Sequence, residues 1–162
     1  MKKISFTAIL IFLAALATAK AENKAPDFQI SGLNSDLIQL NSLEGKVVYL
    51  DFWATWCGPC RKSFPWMNDM LEKYQDEGLE IIAISLDDKR KMVETFLKKF
   101  PAKFTIGLDP EGKIGDLYKV RVMPSSYIID RHGYIVDTHM GFRTKDKEKL
   151  EVMLQTALSN SK

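Results

Sequence analysis

Cys57 and Cys60 are the only two cysteines of the chain, and they stand three residues apart in Trp56-Cys57-Gly58-Pro59-Cys60. Two thiols at that spacing can close into a small disulfide ring and reopen, which is redox chemistry. Their place in the chain adds reactivity. An apolar run, 47–53, precedes them and reads as a buried strand, and a segment with helical periodicity follows. The first thiol then lies among the backbone N–H groups that a helix start leaves unpaired. Those groups and the helix dipole favour the thiolate, the nucleophilic form. Two other uses compete. As a structural staple, a ring closed over so few residues removes little unfolded-chain entropy compared with a long loop. As half of a zinc site the pair needs two more ligands, and the chain offers only His132 and His139, neither at a finger-like spacing. A working dithiol with no metal is the reading carried forward.

Positioning such a pair takes a strand before it and a helix after it, and the rest of the pattern supplies both. Residues 27–30 and 37–40 read as a hairpin around Gly32-Leu33-Asn34-Ser35. The continuous apolar character of 47–53 implies burial on both faces. A helix follows over about 58–75, with Phe64, Met67, Leu71 and Tyr74 as its core stripe, Pro65 inside it and Gly78 ending it. Residues 79–86 form a second apolar strand. Residues 89–100 carry Met92, Val93, Phe96 and Leu97 at helical spacing before Pro101. A short strand at 104–108, a turn at 109–112 and a short helix at 113–118 come next. Residues 126–129 and 134–140 form a hairpin across 130–133, and a helix over 145–158 buries Leu150, Met153, Leu154, Ala157 and Leu158. The order implies an α/β fold, a central mixed sheet covered on both faces, with the first two apolar strands parallel. The cysteines then sit at the carboxyl end of a central strand, where open α/β sheets place their sites.

The amino terminus reads as an export signal. Met1-Lys2-Lys3 is a positive start, 4–17 is an apolar core, and Ala19-Lys20-Ala21 is a small-x-small cleavage site. The expected division is a cleaved segment at 1–21 and one domain over 22–162. The apolar core is short for a membrane span, so an uncleaved anchor is the lesser reading and the mature form is not expected to span a membrane. Taking the segment's three lysines from the chain's 23 basic residues leaves 20 against 21 acidic ones. The mature charge is therefore close to neutral, and the basic pI of the precursor gives no support for nucleic-acid binding. A domain of this length can bury a real core.

At the active stretch the chain resembles the thioredoxin superfamily. Asp51-Phe52-Trp53-Ala54-Thr55-Trp56-Cys57-Gly58-Pro59-Cys60 is close to the thioredoxin signature, Pro65 falls at the family's helix proline, and Met123-Pro124 looks like its residue-plus-cis-proline. The stretch between Cys60 and Pro124 is longer than in a plain thioredoxin. That insertion, the Ala25-Pro26-Asp27-Phe28 opening, the hairpin and the export signal resemble the TlpA/ResA group, exported thiol-disulfide reductases with roles that include cytochrome c maturation. Peroxiredoxins share the opening and the insertion, but their Pro-x-x-x-Thr/Ser-x-x-Cys pattern is not in this chain.

The resemblance implies roles residue by residue. Cys57 is the exposed nucleophile and Cys60 the buried resolving thiol. Gly58 and Pro59 form the spacer that tunes the potential, here the pair found in strongly reducing thioredoxin. Asp51, an acid in an apolar strand that members of the TlpA/ResA group often lack, is a buried carboxyl with a raised pKa that takes the proton of Cys60. A cis Met123–Pro124 bond forms the platform for an extended substrate segment, and Trp56 supplies an apolar rim. Trp53 is read as core, Trp66 as partly core, and Tyr127 and Met140 as packing. His132 and His139 are surface or packing residues. Lys89-Arg90-Lys91 and Lys98-Lys99, interleaved with Asp87, Asp88 and Glu94, read as a solvated helix face.

The function expected is a periplasmic thiol-disulfide oxidoreductase acting as a reductase. It needs no cofactor, takes disulfide-bearing client proteins, and draws electrons from a membrane thiol-reductant donor that the resemblance implies. Rival readings are an oxidant or isomerase, and a non-catalytic peptide-binding module that uses the groove near Met123.

Overall fold

The computed structural model describes residues 23–160, so the expected export signal lies outside the described residues. Strands β1 (Gln29–Ser31) and β2 (Leu37–Gln39) pair antiparallel as a separate hairpin. β3 (Val47–Trp53) leads into α1 (Cys60–Tyr74) and then β4 (Leu79–Ser85). α2 (Arg90–Lys99), β5 (Thr105–Leu108) and α3 (Lys113–Leu117) follow. β6 (Ser125–Ile129), β7 (Ile135–Met140) and α4 (Lys147–Ser159) end the described chain. The five-stranded sheet has the order β5-β4-β3-β6-β7, parallel from β3 to β5 and antiparallel from β3 to β7. The mixed sheet is the one expected, and the element boundaries shift by a few residues at most.

All seven residues of β3 are buried, because the central strand has a layer on each side. Its alternation sorts them. Val47, Tyr49 and Trp53 pack with α1, α2 and α4. Val48, Leu50 and Phe52 pack with Phe28, Ile30 and Ile38 of the N-terminal segment and with Tyr118. Full burial of such side chains is worth about 1.5–3 kcal/mol each, which is why this strand can carry one polar exception.

The helix that follows starts at Cys60, two residues later than expected. Pro59 occupies the cap with φ −60°, a geometry its ring already fixes, and its carbonyl receives the N–H groups of Lys62 and Ser63 at 3.0 and 3.1 Å. Pro65 lies inside α1 on its exposed side, where water can meet the carbonyl its missing N–H leaves free. The buried face of α1 is broader than the expected stripe. Trp66 and Met70 join it, Trp66 meeting Tyr49 and Phe142 at 5.6 and 5.7 Å between ring centroids, while Leu71 is only half-buried. Met92, one of the apolar residues at helical spacing in 89–100, is exposed, and Leu97 and Met153 are half-buried. Met140, read as packing, is 61% exposed, because β7 is an edge strand whose outer side chains have no layer above them.

An aromatic cluster locks the helices to the end of β3. Trp53 meets Phe64 of α1 at 4.6 Å and Phe96 of α2 at 4.8 Å, and Phe64 meets Phe104 at 5.2 Å. The loop carrying the cysteines is thus held at both ends by buried aromatic side chains, Trp53 before it and Phe64 after it.

Candidate active site

The backbone leaves β3 through Ala54 and Thr55, and a buried acid fixes the exit. Asp87, 5% exposed, accepts hydrogen bonds from the Thr55 N–H and hydroxyl, both at 2.8 Å, and from the Ser85 hydroxyl at 2.8 Å. The Cys57 N–H then donates to the Ala54 carbonyl at 3.1 Å. The sequence pattern places Asp87 among the solvated charges of the following helix; in the structure it points inward and anchors the reactive loop. Its position just past the end of a buried strand was the available signal.

Cys57 and Cys60 are joined in a disulfide. The Cys60 N–H, at the first position of α1, points at the Cys57 sulfur at 3.2 Å. That is one of the unpaired donors of a helix start, directed at the sulfur that would carry a thiolate. Exposure differs from the sequence expectation. Cys57 is 3% exposed and Cys60 0%, so in the disulfide form neither sulfur residue is open to solvent. Cys57 belongs to the buried layer that contains Trp53 and Phe64. The open surface belongs to its neighbours: Trp56 is 65% exposed, and Gly58 and Pro59 are exposed beside it. Gly58 has no positive φ, and a Cβ built on it meets nothing within 4 Å. Neither backbone geometry nor crowding requires glycine there.

Asp51 is fully buried at the centre of β3. The alternation that sends Tyr49 and Trp53 to the cysteine layer puts Asp51 on that same face. The Ser126 hydroxyl, directly opposite on β6, donates to Asp51 Oδ1 at 2.7 Å, while Oδ2 has no hydrogen-bond partner among the described residues. Burial pushes the carboxyl up to about 7, and the Ser126 bond, which favours the charged form, holds it lower than burial would. Burial, followed by the nearby Asp51 charge, also raises the Tyr49 phenol well above its ordinary value. Ser126 was not singled out from the sequence. Removing its hydroxyl tests its part directly: in Ser126→Ala the Asp51 carboxyl titrates at a higher pH, by about one unit, as followed by carboxyl carbon NMR. A midpoint that stays in place or falls contradicts this.

The Met123–Pro124 bond is cis. Met123 is half-buried against the layer that holds the cysteines, and Pro124 is buried, its carbonyl accepting the Gly141 N–H at 2.7 Å. The structure therefore gathers Asp51, Cys57, Cys60 and Met123 on one side of the sheet, with Trp56, Gly58 and Pro59 at the surface above. His132 is apart, in the β6–β7 turn. His139 stands opposite Ser126 on β7, with Nε2 at 3.7 Å from Asp146. Among the described residues no group of three or more His, Cys, Asp or Glu side chains is placed to hold a metal ion, and no helix is long and apolar enough to cross a membrane.

Comparison with known proteins agrees with this geometry. Residues 21–138 match the model of the AhpC/TSA family. The chain is 38% identical over 152 residues to the thiol-disulfide oxidoreductase ResA of Bacillus cereus strain ZK / E33L, covering 94% of this chain and 87% of that one. A solved Chlorobium tepidum structure, studied as a candidate thiol:disulfide interchange protein DsbE, superposes with a TM-score of 0.82 at 48% identity, over 84% of this chain and 96% of the other. The exposed lipoprotein thioredoxin of Streptococcus pneumoniae strain TIGR4 superposes with a TM-score of 0.69 at 30% identity, over 83% and 99%.

Proposed function

Because the chain belongs to the AhpC/TSA family and is a thiol-disulfide oxidoreductase of thioredoxin fold, we propose that it works as a reductase of disulfides in exported proteins. In this reading residues 1–21 direct it across the membrane and are removed, leaving 22–162 as one domain in the periplasm. A membrane thiol donor reduces the Cys57–Cys60 disulfide, and a disulfide-bearing envelope protein, apocytochrome c included, is the client.

The reduced form acts in two exchanges. The Cys57 thiolate, favoured by the helix start and by the Cys60 N–H, attacks one sulfur of the client disulfide. The client S–S bond breaks, a Cys57–client disulfide forms, and one client thiolate leaves. Cys60 then passes its proton to Asp51 and attacks the Cys57 sulfur. That step closes the disulfide seen here and releases the second client sulfur as a thiolate, while Asp51 gives its proton to water. A carboxyl poised at about 7 can accept and return a proton near neutral pH, so the buried Asp51 on the cysteine face is the observation that carries this reading. Trp56, Gly58, Pro59 and the Met123–Pro124 backbone serve as the client platform. Their support is the exposed indole, the uncrowded glycine, and the packing of Met123 against the cysteine layer.

Equilibration with glutathione redox buffers tests the direction of electron flow. A reductase with this spacer has a potential well below the roughly −180 mV of protein disulfide isomerase, toward the about −270 mV of thioredoxin. A potential near the roughly −120 mV of a strong oxidant overturns the reading in favour of disulfide formation.

A further inference from the structure

A groove of about 660 Å³ opens beside the reactive loop, between Thr55 and Arg61 on one side and α2 on the other. Thr55 is two residues before Cys57, and Arg61 directly follows Cys60, its guanidinium held by the Thr55 carbonyl at 3.3 Å. The far wall is built by helical spacing. Met92, Phe96 and Phe100 recur every fourth residue and form an apolar floor, and Lys91 and Lys99 recur on the neighbouring stripe. Lys89 also lines the groove.

In the sequence these cations alternate with acids, which suggested a mixed, solvated face. The fold separates the charges. Asp87 turns inward to Thr55 and Ser85. Glu94 pairs with Arg90 at 3.0 Å. Asp88 is highly exposed and reaches only Lys89, at 3.9 Å. Among the described residues no acidic side chain lines the groove. Lys99, with Lys98, suits the carbonyl end of α2, but that leaves its ammonium uncompensated by any carboxylate lining the groove. This concentration of positive charge is local, since the chain without residues 1–21 has 20 basic and 21 acidic residues.

We propose that this groove docks an acidic segment of the disulfide-bearing client, with an apolar side chain over Met92, Phe96 and Phe100 and carboxylates against Arg61, Lys91 and Lys99. The inference rests on the reductase reading for the identity of the occupant. Charge complementarity sets its sign, and the concave apolar floor below the cations suits an inserted side chain better than a flat layer of lipid headgroups. The shared wall with the reactive loop places a client cystine, rather than an unrelated ligand, next to Cys57. Rim charges of this kind act mainly on encounter and on salt dependence.

The test uses two peptides, each with one internal cystine and one nearby leucine, differing only in three flanking Glu or three flanking Gln. The reduced protein should consume the acidic peptide with a kcat/KM about tenfold above that for the neutral one at low ionic strength. The ratio should fall toward one in 0.5 M salt and in the double variant Lys91→Glu/Lys99→Glu. A ratio of one in the unaltered protein, or a ratio the double variant leaves in place, overturns the proposal. If neither peptide is reduced, the reductase reading has failed, and the groove is judged by anisotropy of a labelled, cysteine-free acidic peptide on the oxidised protein. Binding that the double variant abolishes supports the groove, and no binding, or equal binding by both proteins, refutes it. Capture on phosphatidylglycerol vesicles that the double variant loses, with the two peptides treated alike, also refutes it in favour of a lipid surface.

Discussion

Cys57→Ser abolishes reduction of a client disulfide, whereas Cys60→Ser stops the same reaction halfway. A serine hydroxyl at 57 has no thiolate form to attack with, so turnover falls on the order of a thousandfold or more, to the level of the uncatalysed exchange. Cys60→Ser leaves the first exchange intact, because the helix-start N–H that points at the Cys57 sulfur belongs to the backbone of residue 60 and survives the substitution. The client then stays covalently attached, since no second thiol exists to release it. A gel under non-reducing conditions separates the outcomes: free protein for Cys57→Ser, and a stoichiometric adduct for Cys60→Ser that dithiothreitol dissolves. Equal loss of adduct and of turnover in both variants contradicts the two-step division.

Asp51→Asn should make the folded protein more stable at alkaline pH and slower as an enzyme. The Asp51 carboxyl is raised by burial from 3.8 to about 7. Between those values the folded chain holds a proton that the unfolded chain has released, so folding stability falls as pH rises through that window. Above about 7 the folded protein carries a buried charge with one oxygen unpartnered. Asparagine keeps an acceptor for the Ser126 hydroxyl and removes the charge. Relative to the unaltered protein, its stability should therefore improve by about 2–3 kcal/mol between pH 5 and pH 8, measured by urea unfolding of both proteins in the disulfide form. The amide's own unpaired N–H group offsets part of the absolute gain, but it does not titrate and leaves the change with pH intact. Loss of the proton acceptor for Cys60 slows client reduction above pH 7 by about a hundredfold. Parallel stability curves, or unchanged turnover across pH 6 to 9, contradict the assignment.

The legible and illegible parts of the site differ in range. Asp51, Trp53 and the cysteines lie within ten residues, and an apolar strand running into a helical pattern places them without knowledge of the rest of the chain. The cis Met123–Pro124 bond was legible only through family resemblance. Ser126 was not legible, because its meaning comes from register. It faces Asp51 through an antiparallel pairing of strands 75 residues apart, and a serine in an apolar strand announces no partner. Asp87 was misread because its neighbours Asp88, Lys89 and Arg90 are solvated, while the chain turns at the end of β4 and sends this one side chain inward. The near-complete burial of Cys57 was missed for a different reason. Helix position predicts a reactive sulfur, but its cover comes from the aromatic layer that residues distant in the chain assemble around it.

The linkage in the trapped complex shows directly which sulfur attacks the client. Cys60→Ser protein is reduced, mixed with a cystine-bearing client and quenched in acid, and the adduct is digested without reduction for tandem mass spectrometry. The expected result is one cross-linked peptide joining Cys57 to the client cysteine, formed faster as pH rises through a midpoint below the roughly 8.5 of a free thiol. An adduct of comparable yield through Cys60 in the Cys57→Ser protein would show that the deeper sulfur is the attacking one and contradict the assignment of roles.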